Sequence, residues 1–123
     1  MTTLTEGKHA GGFLVWETLR DYTRDTVTIA SGAGKLEPGT VLGKITTGGK
    51  YTVLTPGASN GSQNAAGFLW EGVDAADADA PGVVILRGPA ILNRHEIVWP
   101  EAATEAQITT ATTALAALGI ILR

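Results

Sequence analysis

The sequence predicts a small, mainly β single domain, α+β only in having one C-terminal helix, with an extended N-terminal arm. Three observations carry this. Sixteen of the 123 residues are Gly, and they separate short runs of strand-forming residues. Charged residues make up 17% against 44% hydrophobic, so the chain is too apolar to stay disordered and too rich in turns for a helical bundle. One segment near the C-terminus carries helix-start and helix-stop residues together. A chain of this length buries about 65–70% of the surface its unfolded form exposes, so one core can form without a metal or disulfide.

In chain order, residues 1–25 read as an arm and residues 26–123 as the β-rich body. Met1 to Ala10 is polar, Gly11-Gly12 is flexible, and Gly12 to Leu19 carries an apolar run before the charged stretch Arg20 to Asp25. Phe13, Leu14, Val15 and Trp16 combine strand propensity with large apolar surface, and something must cover them. Two readings stand together: a first strand of the core, or a strand that adds to a partner's sheet edge through main-chain hydrogen bonds, with alternate side chains supplying specificity. Strands are then expected at Val27 to Ala30, Val41 to Thr47 and Lys50 to Leu54, with Ser31 to Gly34 as a turn. Gly48-Gly49 suits a type I′ hairpin, which needs positive φ at both central residues. Pro56 to Gly67 has no periodicity and reads as a mobile or surface-hugging loop.

Further strands are expected at Phe68 to Val73, Val83 to Arg87 and Glu96 to Trp99, with Pro81-Gly82 and Gly88-Pro89 as turns. The helix is signalled by Thr104 as cap, Gln107 completing a capping box, and Gly119 as stop. Ile108, Ala111, Leu115 and Leu118 share one face. Thr109, Thr110, Thr112 and Thr113 lower helix propensity, so tertiary packing has to hold it. Ile120 to Leu122 is apolar enough for a last buried strand.

Composition narrows function. Nine Lys and Arg against twelve Asp and Glu, with no basic run, leave little charge for neutralising phosphates, so nucleic acid is not an expected partner. The absence of Cys excludes disulfides, thiolate metal sites and cysteine nucleophiles. The N-terminus lacks the apolar core of a signal peptide and no stretch reaches membrane-span length, so a soluble, non-exported protein with no membrane partner is expected.

Four motifs invite chemistry. Gly57 to Gly61 matches G-x-S-x-G around Ser59, with Asp74, Asp77 or Asp79 and then His95 in hydrolase order. However, Pro56 precedes it and a polar stretch follows, where a strand and a helix are required. Ser31 to Leu36 hints at a phosphate loop, but Ile29 stands where its first Gly belongs and Leu36 where Ser or Thr would hold metal. His95-Glu96 opens like a zinc-protease helix, but Trp99 occupies the second His position. Glu71, Asp74, Asp77 and Asp79 lack a calcium-loop pattern and read as a solvated face. Neither catalytic residues nor a cofactor or metal is expected.

Three segments nevertheless look familiar: Gly7 to Val15, Leu36 to Ile45, and Gly72 to Ala75 through Gly88-Pro89-Ala90 to Trp99-Pro100 and Ala103, with Glu96 to Ala103 the most specific. Together they resemble the head decoration protein family of tailed phages, of the lambda protein D type. The resemblance implies a non-enzymatic homotrimer. It would sit on the outer surface of the expanded capsid at three-fold positions and clamp neighbouring major capsid proteins after assembly in the bacterial cytoplasm. It assigns capsid docking to Gly12, Phe13, Leu14, Val15, Trp16 and Glu17, and leaves Trp99-Pro100 as trimer contact or core. On this reading, removal of residues 1–17 leaves a folded body that no longer binds capsids. The alternatives are a small hydrolase or binding module using the Ser59 loop, and a phage tail accessory protein.

Overall fold

Three neighbouring pairs of apolar residues set the architecture: Val41-Leu42, Phe68-Leu69 and Val84-Ile85 are all fully buried. Consecutive side chains on a strand point to opposite faces, so each pair buries both faces of its strand. Leu42, Leu69 and Val84 join Ile29, Tyr51 and Ala75 in one core. Val41, Phe68 and Ile85 join Phe13, Leu54, Ala90, Leu92, Leu115 and others in a second. Register agrees, because Val41 lies opposite Phe68 and Phe68 opposite Ile85.

The structure is a computed structural model and describes residues 9–101 and 103–123. Its strands are β1 (Leu14–Glu17), β2 (Arg24–Ile29), β3 (Gly34–Leu36), β4 (Val41–Lys44), β5 (Tyr51–Val53), β6 (Ala65–Leu69), β7 (Val73–Ala75), β8 (Ala80–Ile85), β9 (Ala90–Leu92) and β10 (Ile120–Leu122). The helices are the single turn α1 (Arg20–Thr23) and the longer α2 (Glu105–Ala117). Strands β2-β5-β4-β6-β8 close into a barrel, filled by the core to which all five contribute. The second core lies outside it, under α2 and a three-stranded sheet ordered β1-β9-β10. A small ribbon, β3-β7, completes the fold. The β-rich class with a C-terminal helix is thus what the sequence predicts.

The helix follows its signals closely. Thr104 Oγ1 accepts from the Gln107 N–H at 3.2 Å and Gln107 Oε1 accepts from the Thr104 N–H at 2.9 Å, which closes the capping box. Ala111 and Leu115 are buried, and Ile108 is half-buried. Leu118 is exposed instead of completing the stripe, because the helix has ended at Ala117 and Gly119, at φ +85°, turns the chain into β10. Thr110, Thr112 and Thr113 donate to the carbonyls of Ala106, Ile108 and Thr109, so their hydroxyls stay satisfied inside the helix. β10 runs parallel to β9, and the Gly88 N–H donates to Leu118 O at 2.8 Å where Gly88 crosses Gly119. A Cβ at Gly88 would overlap the Gly119 backbone.

Several local expectations change. Gly48 and Gly49 both have positive φ, at +90° and +72°. However, the Ile45 N–H donates to Lys50 O and the Gly49 N–H to Ile45 O, which makes a four-residue loop rather than a two-residue hairpin. Pro81-Gly82 is no turn but the interior of β8, opposite Thr28 and Val27. Leu86 donates its N–H toward Thr23 O, so by alternation position 81 faces the β6 side, beyond the Leu69–Val84 pair where β6 ends. A Pro without an N–H costs no ladder bond there. At Gly82 a Cβ would crowd Ile29 and Leu69 in the barrel core.

Glu96 to Trp99 is not a strand. Asn93 Oδ1 caps the His95 N–H at 3.0 Å and starts a 3-10 turn over Arg94–Glu96, after which only Val98 bridges, to Thr40. The Ser31 turn, in contrast, runs into the unexpected strand β3, which pairs with β7.

The expected loop from Pro56 to Gly67 ends early, because Ala65 to Gly67 already belong to β6, and the strand expected to run from Phe68 to Val73 breaks after Leu69. Pro56 to Asn64 hugs the barrel, with Thr55 N–H on Ser62 O and Thr46 N–H on Asn60 O, both at 2.8 Å. The exposed Asp79 accepts from the Ser31 N–H and from Lys50 at 2.6 Å, and these hydrogen bonds hold its carboxyl below the usual carboxylate range.

Two variants test this account. Thr104→Ala should cost about 1 kcal/mol through loss of the cap. Phe68→Ala should cost about 3–5 kcal/mol because it empties the centre of the outer core. Urea unfolding measures both, and similar losses would contradict the assigned roles.

Candidate docking site

The segment proposed for docking is built into the body at both ends. Residues 1–8 of the expected arm lie outside the described residues. Gly11 donates its N–H to Trp70 O at 2.9 Å and accepts from the Leu14 N–H at 3.0 Å, which turns the chain so that Phe13 points inward. Phe13 is 2% exposed, with its ring centroid 6.3 Å from Phe68 and 6.1 Å from Trp70, edge-on to the latter. The following strand, β1, pairs antiparallel with β9: Leu14 faces Leu92, Trp16 faces Ile91 and Glu17 faces Ala90, with Val15 as the bulged extra residue.

The far end of β1 is held by an ion pair. Glu17, whose side chain is 9% exposed, accepts from Thr23 Oγ1 at 2.6 Å and from Arg24 Nε at 3.3 Å, and forms a salt bridge with Arg24 Nη2. The guanidinium of Arg24 in turn lies 3.4 Å from the Trp70 ring centroid. The plane of an arginine suits an aromatic face, and its fork suits a carboxylate, so both surfaces of one side chain are used. Phe13, Trp70, Arg24, Glu17 and Thr23 therefore form one continuous clasp. Residues 13–25, expected to belong to the arm, are tied to the body through it.

Among the expected docking residues, the structure separates two roles. Phe13 and Glu17 hold the strand, and Leu14 is half-buried against the outer core. Gly12 is exposed at the turn, Val15 is 60% exposed and Trp16 is 50% exposed. β1 lies at the edge of its sheet, so one side of its backbone is open to another strand among the described residues. Leu19, at the end of the expected apolar run, and Tyr22, which the charged character of its stretch concealed, are also exposed. Their three-residue spacing was the available signal. Trp99 and Pro100 are half-buried, and Trp99 packs against the outer core beside a shallow groove lined by Lys35, Leu36 and Glu37.

The catalytic motifs find no supporting context. Ser59 is exposed in a loop between β5 and β6, where the hydrolase elbow needs a strand leading into a helix. Asn60 Oδ1 is occupied by the backbone N–H and hydroxyl of Ser62. His95 is exposed in the 3-10 turn. Among the described residues no group of three or more His, Cys, Asp or Glu is placed to hold a metal, and no helix is long and apolar enough to cross a membrane. The one raised tyrosine, Tyr51, is pushed up first by burial and then by the charge of Asp25.

A family model described as bacteriophage lambda head decoration protein D matches residues 3–120. No curated protein matches the chain.

Loss of the carboxylate should loosen the clasp: Glu17→Ala leaves Arg24 and Thr23 without their shared acceptor and should cost about 1–3 kcal/mol, the range for leaving partly buried donors unpaired. Chemical unfolding of the variant checks it, and an unchanged midpoint would mean that the pair holds nothing.

Proposed function

Because the chain belongs to the bacteriophage lambda head decoration protein D family, a structural and non-enzymatic family whose members decorate the phage capsid, we propose how this chain does so. It binds the outer surface of the expanded capsid as a homotrimer at three-fold positions and clamps neighbouring major capsid proteins against the pressure of packaged DNA. The virion is its final location, reached by assembly in the host cytoplasm.

The observation that carries the docking mechanism is an edge strand, β1, with exposed apolar side chains, held at both ends by buried groups. An edge strand of this kind binds by strand addition. Its main-chain groups complete the ladder of a capsid-protein strand, while Val15 and Trp16 choose the register. Because the Phe13 and Glu17 anchors order the strand beforehand, little conformational entropy is left to lose on binding. Residues ahead of Phe13 extend the contact. Three such strands on one trimer bind together, and effective concentration raises overall affinity by roughly 10²–10⁴ over a single strand.

The structure also changes how this is tested. Removing residues 1–17 would take away Phe13 and Glu17 and unfold the clasp along with the contact, so point variants on the exposed face are needed. Empty expanded heads lacking their own decoration protein are sedimented with the full chain, with the chain lacking residues 1–8, and with Val15→Asp. Saturable binding by the full chain and at least tenfold weaker binding by Val15→Asp are expected, with a smaller loss for the truncation. Val15→Asp binding as tightly as the full chain would overturn the strand-docking mechanism, and attachment to tails instead of heads would overturn the capsid site.

A further inference from the structure

All of the large hydrophobic side chains that are exposed among the described residues fall in two stretches far apart in sequence: Val15, Trp16, Leu19 and Tyr22, and then Leu118 and Ile121. The three-stranded sheet sets the strands that carry them, β1 and β10, on either side of β9. Its inner face is settled by Ala90, Leu92 and Ile120, which are buried, so the alternating positions Ile91 and Ile121 point to the opposite face. Register places Trp16 across from Ile91 and Ile91 across from Ile121. The result is an apolar row, Trp16–Ile91–Ile121, running across all three strands on the face away from the core. Scattered exposed apolar residues need no explanation, but a gathered row marks an interaction surface.

Charge indicates what covers it. The Arg94 N–H donates to Arg123 O at 3.0 Å, which brings two exposed arginines to the same end of the sheet, just beyond Leu92 and Leu122. Neither guanidinium makes an ion pair with a described residue. Glu17, the one carboxylate within the three strands, is turned inward to Arg24. A second copy of this chain is acidic overall, with a net charge of -3, but on this same face it would oppose arginine with arginine.

We infer that the Trp16–Ile91–Ile121 face docks onto an apolar surface of the major capsid protein bordered by carboxylates that meet Arg94 and Arg123. This rests on the capsid-docking reading of β1 and extends it. The strand edge supplies the backbone ladder, and the sheet face beside it supplies apolar contact and charge.

The same head-binding assay decides it, with the full chain as reference and four variants: Ile121→Asp, Ile121→Val, Arg94→Glu and, as a control on the exposed side of α2, Thr109→Asp. Ile121→Asp should bind at least tenfold more weakly and Arg94→Glu several-fold more weakly, whereas Ile121→Val and Thr109→Asp should bind as the full chain does. A folded Ile121→Asp protein that binds normally overturns the inference. So does one whose head binding is normal but whose solution mass falls, because the face is then a contact between copies. Should Ile121→Asp fail to fold, Arg94→Glu decides alone, and unchanged binding overturns the inference. If Val15→Asp loses binding and these variants do not, only the sheet-face inference fails. If the full chain itself ignores heads, the docking reading and the inference fall together.

Discussion

The contact of Phe13 with Phe68 is the one on which the outer half of this protein depends. Phe68 is the middle of the row Val41, Phe68, Ile85, which alternation of the strands pushes out of the barrel and into a second core. Left alone, that row would be an exposed apolar stripe on a small barrel. Phe13 covers it from the N-terminal side, and Ala111 and Leu115 of the helix and Leu92 and Ile120 of the small sheet complete the cover. The N-terminal segment is therefore part of what keeps the barrel's outer face dry as well as a candidate for docking.

This dual use explains the arrangement of charge around it. A strand lying at the edge of a sheet is a template for further strands, and proteins usually blunt such edges. Here the edge strand is held in place instead, with the arginine on Trp70 pinning the glutamate at its end. An open, rigid edge is a liability for an isolated protein and an advantage for one that spends its working life bound to another surface. The titration behaviour points the same way. Asp79 is lowered by Lys50 and the Ser31 N–H, Arg87 is raised by Asp25, and Tyr51 is raised by burial. Each shift arises from a partner or a position that holds the fold, with Asp25 acting on both Arg87 and Tyr51.

Much of this was legible in the residues. The helix could be read to within a residue because caps and stops are local chemistry: Thr104, Gln107 and Gly119 act on their own neighbours. The apolar pairs Val41-Leu42, Phe68-Leu69 and Val84-Ile85 lay inside expected strands for the same reason. Pro81-Gly82 misled because its turn signal is local while its use is not. The strand β6 simply stops short of it, and the barrel needs a residue without a side chain beside Ile29. Likewise Glu96 to Trp99 has strand propensity, but Asn93 captures the chain into a turn first.

The docking segment shows the division most clearly. Its apolar run, its flanking glycines and its family resemblance are all in the sequence, and these determined a β-rich, non-catalytic protein with an N-terminal strand in search of a cover. Only the tertiary structure decided which side chains of that strand are spent on the protein's own core. Phe13 and Val15 share a parity on paper, yet a bulge at Val15 breaks the alternation, so one is buried and the other exposed. Only the tertiary structure could set Trp16 beside Ile91 and Ile121, because register between strands distant in the chain is fixed by the cores on either side of them and leaves no trace in any single segment.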